Sequence, residues 1–490
     1  MNPHSPYGAA GTTNIHPVML MALGLAIILV LILPRKYVVL PLLLLSIVVP
    51  FGQIQMIGPF HFQLFRILLF FVWIRLIWQR YANEGPSSKI HINAADKTVI
   101  GYCVVYVIAF TFLWQDSQAF FDALGKLYNI GGFYFAFRFF IRDREDVERV
   151  IKLLVVVAVF VAACMCNEQL TGRNILAMFG GVPVHTIMRE DYLRSQGPFE
   201  VYITAGSFGA TLIPLFLILL RKGGSRLLGT TGIVAGLVIA LTSHTSTAVS
   251  ALAATALGCG MWFFREKMRQ IRWGFVLSLL GLNMVMKAPV WALIERVDLV
   301  GGSTGYQRFM IIDVCIRHFW DWVLVGARNY STWAGEDDMW DTANQYVSIA
   351  DASGLLCLVF FLATIVYCFK YLGNARKAAG EKSSDAWFFW LLGVALFANL
   401  MAFFGISYFD QTFITWYALI AMIIASTGAP QTAYAVEPRP ASAPFPRKAL
   451  EPSYGGGNRL WQPGRPAQRY APQTAKPKPS LAGFNQYRGK

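Results

Sequence analysis

Apolar runs close to the length of a bilayer crossing constrain this chain more than any other feature of it. A helix that crosses the hydrocarbon needs roughly 20 apolar residues, within a range of about 17–25, and its backbone groups must all find partners inside the protein. Thirteen segments fit, near 17–34, 37–52, 60–79, 98–115, 119–140, 151–167, 200–220, 227–242, 246–264, 273–288, 354–371, 386–404 and 408–427. The second and tenth are short, and Asp122, Lys126 and Asn129 interrupt the fifth. Hydrophobic residues make up 56% of the chain, above the roughly 45–50% of a soluble domain, and they fall in blocks rather than in amphipathic stripes. The expected fold is an all-α, polytopic transmembrane helix bundle of about 12–13 spans. Its parts are an outer N-terminal segment 1–16, helices over 17–294, a large outer loop over 295–353, further helices over 354–429 and a tail over 430–490.

The net charge of +15 is no sign of a nucleic-acid partner, because the basic residues sit at the ends of apolar segments and in the tail. Connections holding Arg35 and Lys36, Arg80 to Lys97, Arg142 to Arg149, Arg221 to Arg226, Arg265 to Arg272 and Arg376 to Lys382 alternate with connections almost free of base. The basic set is therefore expected in the cytoplasm, with the N-terminus and the 295–354 loop outside. No Lys or Arg precedes the first apolar segment, so it is not expected to be a cleaved signal peptide. From Pro430 the chain holds eleven prolines, ten Lys or Arg and two Glu. Such a tail is expected to be disordered, either meeting the anionic inner leaflet or serving only as a solubilising extension. Six of seven cysteines lie in apolar runs, with Cys315 alone in the large loop, so they read as small core residues and not as a disulfide framework.

Polar material sufficient for a reaction site is concentrated in residues 295–354, which carry Arg308, Arg317, His318, Arg328, Glu336, Asp337, Asp338, Asp341 and Asn344. The spacing of Phe309, Ile312, Ile316, Phe319, Trp320 and Val323 predicts a helix over 304–323 at the outer interface. On it Asp313 precedes Arg317 by four residues, the order of a favourable ion pair. Arg308 has no acidic residue three or four positions away, which leaves its planar fork for an anion such as phosphate. A second outer segment, 167–196, carries Arg173, Arg189 and Arg194. Positive charge there opposes the insertion bias, although pairing with Glu190, Asp191 or lipid head groups would account for it equally.

Three sequence stretches resemble the O-antigen ligase and polymerase superfamily of bacterial membrane glycosyltransferases. Arg194-Ser195-Gln196-Gly197-Pro198-Phe199, running into Phe208-Gly209 and Pro214, is similar to the family's Arg, Gly, Phe approach to a central helix. Ser303 through Arg308, then Gly326, resembles its Ser-Gly-x-Arg element with a following glycine, and Asn344-Gln345-Tyr346-Val347 with Gly354-Leu355-Leu356 resembles its His-Asn-x-Tyr-Leu run ending in Gly-Leu. Two departures stand out: Ala343 replaces the ligase histidine, and Thr242-Ser243-His244-Thr245-Ser246-Thr247 stands where a Ser-Arg-Gly element is often found.

The resemblance implies an inner-membrane enzyme that extends or transfers glycans carried on undecaprenyl diphosphate, without metal or cofactor. The donor would be the lipid-linked glycan and the acceptor a glycan or lipid, with polysaccharide export or chain-length proteins as further partners. Polymerase is preferred to ligase because alanine can neither accept nor donate a proton. Arg194 and Arg308 suit the leaving diphosphate, Asn344 and Tyr346 fall in the substrate-binding run, and Asp341, ahead of His318, is the candidate base. The run Glu336-Asp337-Asp338 could hold a divalent cation but reads better as a solvated loop. Trp320, Trp322, Tyr330, Trp333 and Trp340 could stack on sugars or form an interfacial belt. A transporter would place charges in mid-bilayer helices, and only the fifth segment does so, where Asp122 and Lys126 can pair. A scaffold of an export system is the third reading. Cysteine substitutions at Ser303 and Ser480 are expected to be labelled from opposite sides of the membrane; labelling of both from one side rejects the topology.

Overall fold

The computed structural model describes residues 15–57, 60–82, 92–189, 191–221, 224–295, 304–333, 342–380 and 383–428. The N-terminal segment to residue 14, Ser303, the acidic run Glu336-Asp337-Asp338, Asp341 and the tail lie outside them. The described chain is mostly helical, in the order α1 (Pro17–Ile32), α2 (Val39–Val48), α3 (Leu64–Ala82), α4 (Ala94–Trp114), α5 (Ser117–Phe140), α6 (Arg144–Thr171), α7 (Tyr202–Ile218), α8 (Arg226–Thr242), α9 (Ser246–Gly260), α10 (Met268–Val285), α11 (Thr304–Arg317), α12 (Phe319–Trp322), α13 (Gln345–Ala378), α14 (Ser384–Ala402) and α15 (Thr412–Thr427). Two antiparallel hairpins interrupt them, β1 (Ile54–Ile57) with β2 (Phe60–Gln63) and β3 (Ile187–Arg189) with β4 (Tyr192–Arg194).

Each of the thirteen apolar segments contains a helix. Among the described residues, α4, α6, α9 with its extension to Phe264, α13 and α14 are long and apolar enough to cross a membrane, whereas α1, α7, α8 and α15 are apolar but shorter. The third segment differs from expectation at its start, where residues 60–63 pair as β2 before α3 begins. No residue of α10 is buried. Caps fix the helix starts: Asn93 and Asp96 form a reciprocal capping box on α4, and Asp143, Thr245 and Ser383 accept from the first turns of α6, α9 and α14.

The centre of the fold is α7, almost every residue of which is buried, as expected of a helix that is apolar all round. It packs on α8, α14 and α9, while α4 lies along α13 and α5 along α15. The basic connections meet one another. Arg138 makes a bidentate pair with buried Asp96 (2.9 and 3.1 Å), which also accepts from Tyr134. Arg35 lies 3.5 Å from Asp146, Arg144 pairs with Asp385 at 2.6 Å, and Arg149 and Arg221 pair with Asp146 and Glu148. Arg376 donates to the Arg265 carbonyl. Connections far apart in sequence are thus linked by pairs of cations and carboxylates.

The 304–333 segment has its own small core, in which Ile311, Cys315, Trp322 and Tyr330 pack with Val347 and Ala350 of α13. The helix expected over 304–323 breaks at His318, whose backbone leaves the helical region, and resumes as α12. The segment is fastened to α13 by backbone. Ala327 donates to Asp351 O (2.8 Å) and Leu355 to Val323 O (3.0 Å). Both glycines singled out in the sequence stand at this contact with positive φ, +99° at Gly326 and +78° at Gly354. A Cβ on Gly326 would stand 2.1 Å from Asp351 O, and one on Gly354 2.5 Å from Leu324 O, so neither position has room for a side chain. Gly326→Ala is expected to lower thermal stability in detergent by at least about 1–3 kcal/mol. Gly373→Ala on α13, where a Cβ meets nothing within 4 Å, should leave it unchanged or raise it.

Candidate functional site

Two arginines from distant parts of the chain are laid against one turn, residues 242–247, which joins α8 to α9. Thr245 Oγ1 accepts from Ala248 N (3.3 Å) to start α9, and this sharp reversal puts His244 at φ +45°. The β3–β4 hairpin covers the turn. Ser195 N donates to Thr242 O (3.1 Å), and the Tyr192 ring stacks on the His244 imidazole at 5.0 Å and 24°. Arg194, at the end of β4, is 8% exposed. Its guanidinium carbon lies 5.2 Å from the centre of the Tyr202 ring, an attractive cation–π placement, and its buried Nε has no hydrogen-bond partner. Among the described residues no carboxylate pairs with it.

Arg308 reaches the same turn from α11. Its Nη2 donates to Ser246 Oγ (2.7 Å) and Thr247 Oγ1 (2.9 Å), and a Cβ on Gly405 would come within 3.0 Å of that nitrogen. Burial lowers its pKa from the ordinary arginine value, yet a guanidinium remains charged. Hydroxyl dipoles solvate the cation without neutralising it. As the sequence predicts, Arg308 has no acidic partner among the described residues, whereas Arg317 pairs with Asp313 at 2.7 Å.

The α14–α15 connection closes the site from a third side. Asp410 accepts from Thr204 Oγ1 (2.5 Å), Thr412 Oγ1 (2.7 Å), Thr412 N (3.0 Å) and Glu200 N (3.4 Å). Burial and the neighbouring Asp410 push the Glu200 carboxyl up to about 7, and burial raises Asp410 as well. Gln411 Nε2 donates to Val49 O and Pro198 O (3.1 and 3.0 Å), tying three connections together. Behind residues 403–409 lies a cavity of about 50 Å³ lined in part by Lys126, Asn129, Gln345 and Tyr408.

The remaining sequence candidates have other engagements. Asn344 is buried and caps α13, its Oδ1 accepting from Tyr346 N (3.0 Å) and Val347 N (3.2 Å). Tyr346 packs among Phe361, Phe403 and Phe404 and donates its hydroxyl proton to Leu400 O (3.0 Å). His318 stacks on Trp333 at 4.7 Å and bonds Asp321 through Nδ1 (2.8 Å), so its contacts stay inside the 304–333 segment. Asp341 lies outside the described residues. Asp122 and Lys126 form no ion pair: the exposed carboxylate accepts from Gln118 one turn earlier (3.3 Å), and the lysine lies along the cavity wall.

Sequence reasoning missed Glu200 and Asp410 and gave no role to Ser246, Thr247 and His244. The signal for the last three was present as a polar tract between two apolar segments. For Asp410 it was a lone carboxylate at the start of an apolar run. Comparison with protein-family models gives no match for this chain, and comparison with curated proteins gives none.

Because Glu200 is raised when folded, the native state holds more protons than the unfolded chain between the ordinary carboxyl value and about 7. Its contribution to stability is present at low pH and lost as pH rises through that window. Glu200→Gln is therefore expected to raise the melting temperature at pH 8, with the gain vanishing near pH 4, as measured by thermal unfolding in detergent.

Proposed function

We propose that this chain is a membrane glycosyltransferase of the polymerase kind, which lengthens glycans carried on a lipid diphosphate at the outer face of the bacterial inner membrane. The observation that carries this reading is the pair of desolvated arginines, Arg194 and Arg308, that meet no carboxylate among the described residues and lie against the hydroxyl-lined turn 242–247. A diphosphate leaving group needs fixed positive charge where its own charge develops, and such charge acts most strongly out of water. Nη2 of Arg308 is held by Ser246 and Thr247, which fixes the guanidinium plane and leaves Nε–H and the Nη1 hydrogens, on separate edges, to donate singly to phosphate oxygens. The basic, ion-paired connections then lie on the cytoplasmic side. The thirteen helix-containing segments supply the spans, and the tail enters the cytoplasm. Donor and acceptor are both lipid-linked glycans, metal is not required, and chain-length or export proteins are the protein partners.

Transfer to a lipid acceptor, as in a ligase, is the nearest alternative, and Ala343 weighs against it. A transporter reading draws on one observation, the polar cavity holding Lys126, whose ammonium has no carboxylate partner among the described residues.

Arg308→Lys keeps the charge and removes the planar set of donors that grips Ser246 and Thr247 with one nitrogen and leaves the others for an anion. It is expected to cost on the order of 3 kcal/mol, about a hundredfold in rate, as is Arg308→Ala. Arg317→Lys is expected to change little, because the Arg317 guanidinium is largely exposed, an ammonium can still reach Asp313, and Asp313 keeps its bond from Trp291 Nε1. Glycan chain length in a deletion strain carrying each variant at matched abundance measures this. Long chains from Arg308→Lys and Arg308→Ala reject the proposal.

A further inference from the structure

We propose that His244 is the general base of this transfer, taking the proton of the acceptor hydroxyl; the inference rests on the polymerase reading and supplies the proton acceptor that the sequence had sought in Asp341 or His318. Position is the first argument. His244 is two residues from Ser246, which holds Arg308, and it sits under the hairpin that carries Arg194. It therefore belongs to the turn against which both groups assigned to the leaving diphosphate are laid. The second is its unused chemistry. Among the described residues neither ring nitrogen of His244 has a hydrogen-bond partner, whereas His318 is bonded to Asp321. The two oxygens of Asp410 already receive four donors, and Glu168 accepts from Gln196 N, Gly197 N and Thr186 Oγ1.

The third argument is the cost of the geometry. A left-handed backbone at a non-glycine residue is unfavourable by about 1–3 kcal/mol and persists where the surroundings enforce it. Here the Thr245 cap and the Tyr192 stack do so. Burial and the nearby Arg194 lower the His244 pKa below the ordinary imidazole value. The ring is therefore neutral, and able to accept a proton, at neutral pH.

In the transfer, the acceptor oxygen forms a bond to the anomeric carbon as its proton passes to the free imidazole nitrogen. The bond from that carbon to the phosphate oxygen breaks, and its electron pair leaves with the diphosphate between Arg194 and Arg308. Solvent then removes the proton from the imidazolium. Among the described residues the charged and titratable groups on the elements packed against the turn are Glu168, Arg189, Asp191, Tyr192, Arg194, Glu200, Tyr202, Arg308 and Asp410. Glu200, pushed up to about 7, is the one whose titration could be mistaken for that of His244.

The test uses membranes of a deletion strain carrying the full-length protein, supplied with the lipid-linked glycan extracted from that strain, and follows the rate of chain extension. His244→Gln and His244→Gly, at wild-type abundance, are expected to slow extension about 100-fold or more. Added imidazole should restore His244→Gly and leave Arg308→Lys slow. The wild-type rate should fall on acidification along a limb centred below about 6.5, and this limb should be missing from His244→Gln and present in Glu200→Gln. The wild-type limb needs no variant to fold, so its absence alone overturns the proposal. A limb that survives in His244→Gln and disappears in Glu200→Gln also overturns it, as does loss of activity in His244→Gly that imidazole does not repair. Wild-type extension by His244→Gln beside a slow Arg308→Lys removes the base and leaves the polymerase reading standing. Wild-type extension by both removes the two together.

Discussion

A guanidinium taken out of water keeps its pull on an anion only where no carboxylate cancels it. Two charges 4 Å apart interact by about 4 kcal/mol at an effective dielectric of 20, so a single neighbouring aspartate would satisfy either arginine of the site. Among the described residues no carboxylate reaches either of them, and their partners are weaker: hydroxyl dipoles for Arg308 and an aromatic face for Arg194. At the basic connections the opposite rule holds. There Arg138, Arg144, Arg149 and Arg221 each meet an acidic side chain.

Holding unmatched cations in place demands a stiff surround, and side-chain amides provide much of it. Gln411 ties the α2–β1 connection to residues 196–198. Gln53 donates to Phe179 O and Gly180 O, and Asn174 donates to Gly197 O. Each of these bonds satisfies a carbonyl in a loop that has no regular structure to do so. The turn 242–247 therefore leans on connections that are themselves cross-braced.

The helices could be read from the chain because apolar length is a local property, and every apolar segment does hold a helix. The hairpin start of α3 could not, since β1–β2 pairing is decided by neighbours and not by hydropathy. At the site the legible part was charge: Arg308 without a carboxylate and Arg317 with Asp313 follow from helical spacing alone. That Arg194 and Arg308 share a turn was not legible, because the turn comes from a third stretch and contact between stretches leaves no periodicity. Asn344 and Tyr346 show the converse limit. A motif marks positions that matter, but their side chains here start a helix and fill a core.

The contact between residues 323–327 and α13 also reaches down to the gene. Gly326 and Gly354 each face a carbonyl oxygen at a distance that excludes a Cβ. Every single-base change in a glycine codon is either silent, a stop, or the gain of a side chain. At these two positions the coding sequence has no conservative missense neighbour, so it can drift only at the third base while the fold is retained. Nearby residues such as Leu324, which is 81% exposed, are under no such restriction. The fastening of the 304–333 segment to α13 is thus written in two codons, and the chain around them is comparatively free to diverge.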